Sequence, residues 1–232
     1  MTDFRWTISR LGLAACLVFA AMPSGATFAQ DLSRYRKFQL GTDLPAVAKQ
    51  AGVDASEATL VHSRPALVQE LAWRPGLFST PPQTEAVKEV IFTFYNGELF
   101  RVAIAYDPYQ LAGLTAGDLI EAISANYGVA SKPTGPPKIA PAPYGEQQEV
   151  LATWQDADCR FDLIRGSYGP SYKLVGVLKR LETPFRAATA EALRLDEKEA
   201  PQREAERIAK EGEVAKSALE QDRLANKPNF RP

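Results

Sequence analysis

Few residues in this chain could carry chemistry. His62 is the only histidine, and Cys16 and Cys159 are the only cysteines, among 232 residues. Cysteine nucleophiles work as thiolates beside an imidazole that a third group orients, so Cys159 and His62 would have to meet. Both lie in strand-like stretches, and nothing in their spacing brings them together. They read as a buried cysteine and a packing or surface histidine. "QDADCRFD" sets Asp156, Asp158 and Asp162 in one short run. A calcium loop needs glycine at its sixth position and glutamate at its twelfth. The sixth residue from Asp156 is Phe161, so the run reads as a polar turn entering a strand. No phosphate-binding loop, dinucleotide fingerprint, nucleophile elbow or HExxH helix is present. Accordingly no catalytic residue, metal ligand or cofactor contact is assigned from the sequence.

Recognition is the remaining chemistry. Tyr144 lies in the loop "PPKIAPAPYG", and Tyr168 and Tyr172 flank "YGPSY". Tyrosine offers a large contact area at low entropic cost, and loops are where binding residues concentrate. These three tyrosines are the candidate binding surface.

The elements that must position them start with the composition. The chain is 45% hydrophobic and 24% charged with a formal charge of −1. Those are ordinary globular values. With no basic excess there is no field to gather nucleic acid, and none is expected as a partner.

The N-terminus reads as a targeting segment. Arg5 and Arg10 precede the wholly apolar "LGLAACLVFAA", and "MPSGATFAQ" follows with a breaker and small residues. This is the order of a secretory signal peptide. Thr27 and Ala29 predict a cut after Ala29, with a cut after Ala26 as the alternative. The 11-residue apolar run is shorter than the roughly 20 residues of a membrane span. "LAAC" also fits a lipoprotein cleavage pattern, but the apolar run straddles Cys16 instead of ending before it. Cys16 therefore reads as signal filler and no lipid anchor is expected. Cleavage after Ala29 leaves 203 residues with one cysteine, so no internal disulfide. The expected location is the periplasm or outside the cell.

The body, residues 30–182, reads as α+β. "FQLGTDLPAVAKQAGV" predicts a short helix, capped by Thr42 or Asp43, admitting Pro45 in its first turn and stopped by Gly52. Strands are expected near 58–62 and 66–73. Residues 89–107 alternate apolar and polar around Asn96-Gly97, the signature of a type I′ hairpin. A second helix is expected within 111–130, with Thr115 as N-cap, Asp118 in a capping box and Gly128 as its end. The stretch 131–148, with five prolines, reads as a loop. Two or three strands follow, ending near Leu181.

The order helix, stop glycine, tryptophan-bearing strand and hairpin occurs twice, over 38–107 with Trp73 and over 111–182 with Trp154. This predicts two helix-plus-antiparallel-meander units, repeated in element order more than in identity. With Leu114-Thr115 opening a short helix, the layout resembles beta-lactamase-inhibitor-protein-like folds and small outer-membrane-assembly lipoproteins. The resemblance covers 38–182 at the level of topology, and no binding residue is carried across from it.

Residues 183–232 read as a charged helical arm. Thr183-Pro184 suggests an N-cap and first turn. Phe185, Ala188, Ala192 and Leu195 fall at helical spacing and could dock on the sheet. Pro201 is expected to kink or break the helix. Glu199–Arg203 and Glu206–Lys210 are expected i,i+4 pairs. Beyond them the arm is a solvated helix or a segment that folds against a partner or a second copy. The functional expectation is an exported, non-catalytic binding or accessory protein of the cell envelope, acting through protein contacts. The alternatives are a hydrolase-like enzyme with unidentified carboxylates and a small-molecule binder with a cavity between helix and sheet.

Overall fold

The structure, a computed structural model, describes residues 31–75, 86–131, 139–140, 148–166, 171–229 and 231. The targeting segment lies outside the described residues. Within them the chain is α+β. A two-residue hairpin, β1 (Arg34–Tyr35) and β2 (Phe38–Gln39), opens it, followed by α1 (Leu44–Ala51). Then come β3 (Thr59–His62), β4 (Val68–Trp73), β5 (Val87–Tyr95) and β6 (Glu98–Tyr106). After α2 (Ala116–Tyr127) follow β7 (Ile139–Ala140), β8 (Gln148–Gln155), β9 (Cys159–Gly166) and β10 (Tyr172–Leu178). The last long element is α3 (Lys179–Asn226).

Strands β3 to β10 form one antiparallel sheet in the order β3-β4-β5-β6-β10-β9-β8-β7. The order is palindromic about the β6–β10 pair. Helices α1 and α2 each precede four strands, and Trp73 and Trp154 both sit on the second strand of their set.

Local signals explain the elements. Asp43 caps α1, its Oδ1 accepting from the Ala46 N–H at 2.8 Å, and Gly52 ends the helix at φ 74°. Thr115 and Asp118 close a reciprocal box at the start of α2, at 3.2 and 2.7 Å. Asn96 and Gly97 turn the β5–β6 hairpin at φ 50° and 84°, the left-handed pair that a type I′ turn demands.

Directly paired residues share a sheet face. Val90 faces Ile104, Ile104 faces Leu174, Leu174 faces Leu163, and Phe161 faces Trp154. These side chains form the main core with Val47 of α1 and Leu119 and Ile123 of α2, so both helices cover this face. Val68, Phe100, Val177 and Ala192 are buried outside that core. They belong to the opposite face, crossed by α3. A register shift at Thr93/Phe94 explains Phe100, which is the extra residue of a β-bulge. It meets Phe185 of α3, centroids 4.5 Å apart, and Phe185 also packs on Tyr95.

The structure corrects three expectations. First, the stretch expected as pure loop contains β7, which pairs Ile139 with Glu149 and Ala140 with Gln148. Second, α3 begins at Lys179, inside the segment expected to be strand, and places Pro184 within the helix. Its start is set by long-range contacts. The Lys179 N–H donates to the Asp158 carbonyl at 2.8 Å, Arg160 bonds Glu182 at 3.0 Å, and Arg180 pairs with Glu98. Third, the helix runs unbroken through Pro201. A proline there removes one backbone bond and costs about 3 kcal/mol. Arg203 spans the weakened turn, donating to the Asp196 carbonyl and carboxylate, both at 3.0 Å. Arg203 thus pairs with Asp196 instead of Glu199, which pairs with Arg64.

Candidate functional site between the second helix and the sheet

Three tyrosines converge on the helix-covered face. Tyr35 ends β1, Tyr106 ends β6 and Tyr127 ends α2. Each is placed by a local rule: a tight hairpin, the last inward position of an alternating strand, and the final turn of a helix stopped at Gly128. Tyr127 stacks on Phe161, centroids 4.7 Å apart with planes inclined by 17°, and its hydroxyl donates to the Arg34 carbonyl at 3.1 Å. These rings, with Val87, Leu111, Leu119, Ile123 and Leu174, line a cavity of about 660 Å³. Its size lies in the range of sites for small organic ligands.

The polar end of the cavity holds Asp31, Arg34 and Arg36. The Asp31 carboxyl is held below its ordinary range by hydrogen bonds from Ser33, and it also accepts from Arg34 Nε at 2.6 Å. Burial first, then the neighbouring Tyr35, pushes the Tyr106 and Tyr127 phenols well above the ordinary tyrosine range. Both are therefore neutral donors at physiological pH. The arrangement suits binding: an apolar chamber lined, among the described residues, by neutral hydroxyls and by Arg34, Arg36 and Asp31.

The opposite face carries a polar band. Thr93 is 1% exposed and donates to Glu70 at 3.1 Å, while Arg101 lies 3.6 Å from the same carboxylate. Arg101 Nε is buried with no partner among the described residues. On β8 and β9, Thr153 donates to Asp162 at 2.6 Å, and Arg160 bridges Asp162 and Glu182. The Arg160–Glu182 pair ties this face to α3, while Arg101 Nε stays unpaired among the described residues.

The residues singled out from sequence fare differently. Cys159 and His62 lie on β9 and β3, five strand spacings apart in the sheet, or about 24 Å. Cys159 is buried, and burial together with Asp156 and Asp158 pushes its thiol from 9.0 up to about 11. His62 lines a smaller cavity of about 190 Å³ between the β3–β4 turn and α3. Asp156 forms a turn, its Oδ1 accepting from the Asp158 and Cys159 N–H groups at 2.9 and 2.7 Å. Tyr144 and Tyr168 lie outside the described residues. Tyr172 is 9% exposed at the start of β10, packed into the main core. Among the described residues no cluster of three His, Cys, Asp or Glu could hold a metal ion.

The converging tyrosines were not legible in the sequence. Tyr35 sits in "RYRKF", which carries no strand signal, and Tyr106 and Tyr127 look like ordinary element ends. Only the β6–β10 pairing and the docking of β1 under α2 bring them together. No protein-family model, no curated protein and no solved structure matches this chain, so the likeness of its layout to helix-plus-meander envelope proteins rests on element order alone.

Proposed function

We propose that this chain is an exported, non-catalytic binding protein of the bacterial cell envelope, engaging a protein partner through the outer half of α3. The carrying observation is that half-helix. Phe185, Ala188, Ala192 and Leu195 lie on the docked side, as their spacing predicts, and Glu199 pairs with Arg64. From Ala200 to Asn226 every residue is exposed, a rod about 40 Å long at 1.5 Å per residue. Ile208, Val214, Leu219 and Leu224, each 57–69% exposed, are its large apolar side chains. Ion pairs along the helix, such as Arg207 with Glu204 and Glu211, give it local support. A helix held in register by its own charges, with isolated apolar groups facing water, is suited to meet another surface.

The export part of the reading is supported by the order of Arg5, Arg10, the apolar run and Thr27–Ala29. Among the described residues no helix is long and apolar enough to cross a membrane. The non-catalytic part is supported by the paired state of Asp31, the one carboxylate lining the main cavity among the described residues, and by the protonated, buried Cys159.

The test is cross-linking in intact cells from a photoreactive residue at position 214, paired with the same experiment at Lys173 on the body. A discrete adduct from 214 alone supports the reading. Adducts from neither position, or equal adducts from both, overturn the assignment to the arm. Sequencing of the exported protein should start at Gln30.

A further inference from the structure

We propose that two copies of this chain pair through the outer half of α3, side by side and parallel, along a seam of Ala205, Ile208, Gly212, Ala215 and Leu219. These five residues follow the alternating three-four spacing of a coiled-coil seam. They fall within about 80° of the helix circumference, at about 3.6 residues per turn. The six charged residues between Ala205 and Leu219 all lie outside that arc. All five seam residues are exposed, Ile208 at 57% and Leu219 at 69%. A stripe this narrow falls short of the roughly 100° that a helix buries against a globular core, and it matches the seam of paired helices. Gly212 sits in the middle of it. Glycine weakens a helix interior relative to alanine, yet a Cβ at Gly212 would meet nothing within 4 Å. The close approach of a second helix is what the missing side chain admits.

Charge decides the occupant and its direction. Glu204 and Glu211 flank one side of the seam, and Lys216 and Arg223 flank the other. In a parallel, in-register pair, Glu211 meets Lys216 of the second copy, and the two-fold axis makes this contact twice. Glu211 accepts from Arg207 of its own helix on Oε1, and a carboxylate has a second oxygen to offer. In an antiparallel pair the acidic flanks would face each other, and so would the basic ones. The surface is therefore complementary to itself in one orientation. Phe185 and Ala192, which dock α3 on its own sheet, lie about 160° around the helix from the seam. The two bodies thus fall on the outer sides of the pair. Val214 is off the seam, so the surface assigned above to an envelope partner stays open, and the two proposals stand or fall independently. With Ile208 and Leu219 as its only large layers, the pair is weak and forms by mass action as concentration rises.

The experiment measures the mass of the exported protein by sedimentation equilibrium, from micromolar to near-millimolar concentration. A monomer–dimer equilibrium is expected. Ile208→Gln and Leu219→Gln should each weaken it by about tenfold and leave the thermal midpoint of the dilute protein unchanged. Asp222 occupies the next seam position and ends the apolar run. Asp222→Leu should therefore tighten the dimer by about tenfold, a gain that a folding defect does not produce. Glu211→Lys should weaken the dimer several-fold, and adding Lys216→Glu should restore it. A monomer at every concentration overturns the proposal, as does a dimer indifferent to both Ile208→Gln and Leu219→Gln. A dimer strengthened by Glu211→Lys alone overturns the parallel arrangement, since relief of facing acidic flanks is the antiparallel response.

Discussion

The indole Nε1 of Trp154 donates to the carbonyl of Gly128, 3.0 Å away, and lies 3.2 Å from the Ser124 hydroxyl. The residue that stops α2 is thus the residue that β8 holds. Trp154 is 1% exposed, so this bond anchors the helix roofing the main cavity to the sheet beneath it. Trp154→Phe should keep most of the apolar packing but leave the Gly128 carbonyl without its donor. The expected loss is about 1–3 kcal/mol, below the roughly 3–5 kcal/mol of Trp154→Ala. Urea unfolding of the two variants orders these costs, and a negligible loss in Trp154→Phe would deny the hydrogen bond its weight.

Gly176 lies opposite both Val102 and Phe161 in the centre of the sheet. A Cβ built on it would enter the ring of Phe161, whose own neighbour is Tyr127. The glycine here is required for that approach, since the ring occupies the space of its missing side chain. Gly176→Ala should destabilise by about 1–3 kcal/mol through overpacking. It should also alter the near-ultraviolet signal of Tyr127, because the displaced ring must move towards it. Adding Phe161→Leu should recover part of the loss, and no recovery would place the strain elsewhere.

The thiol of Cys159 titrates near 11 in the folded protein, against 9.0 ordinarily, chiefly because it is buried. Between those values the folded state holds a proton that the unfolded chain has released. Stability from this group is therefore complete below pH 9 and lost as pH climbs towards 11. Folded protein should resist iodoacetamide at pH 8, and Cys159→Ala should show a shallower fall in stability across pH 9–11. The raised phenols of Tyr106 and Tyr127 act in the same direction, so the variant flattens the slope without abolishing it. An unchanged slope would remove Cys159 from the account.

Phe185 fastens the root of α3 between Tyr95 and the bulged Phe100. Phe185→Ala should cost about 1–3 kcal/mol for a partly buried aromatic and speed amide exchange over residues 179–199. Ending the chain at Glu199 should instead leave the melting midpoint within about a degree, because the removed residues bury nothing. A large drop would show that the arm supports the body.

What the sequence determined by itself is what near neighbours decide. The Asn96-Gly97 turn, the Asp43 and Thr115 caps, the stops at Gly52 and Gly128, and the docking stripe from Phe185 to Leu195 each depend on residues within a few positions. Backbone sterics and one or two local hydrogen bonds suffice for them. The tertiary structure alone decided the palindromic strand order, since the β6–β10 pair joins residues some seventy positions apart and has no local signature. The same holds for the start of α3. Thr183-Pro184 looks like a helix opening, but bonds from Asp158, Arg160 and Glu98 outweigh that preference and begin the helix at Lys179. It holds for the cavity too. Tyr35, Tyr106 and Tyr127 come from a hairpin, a strand end and a helix end, and they share one chamber only because long-range pairing folds those three ends together.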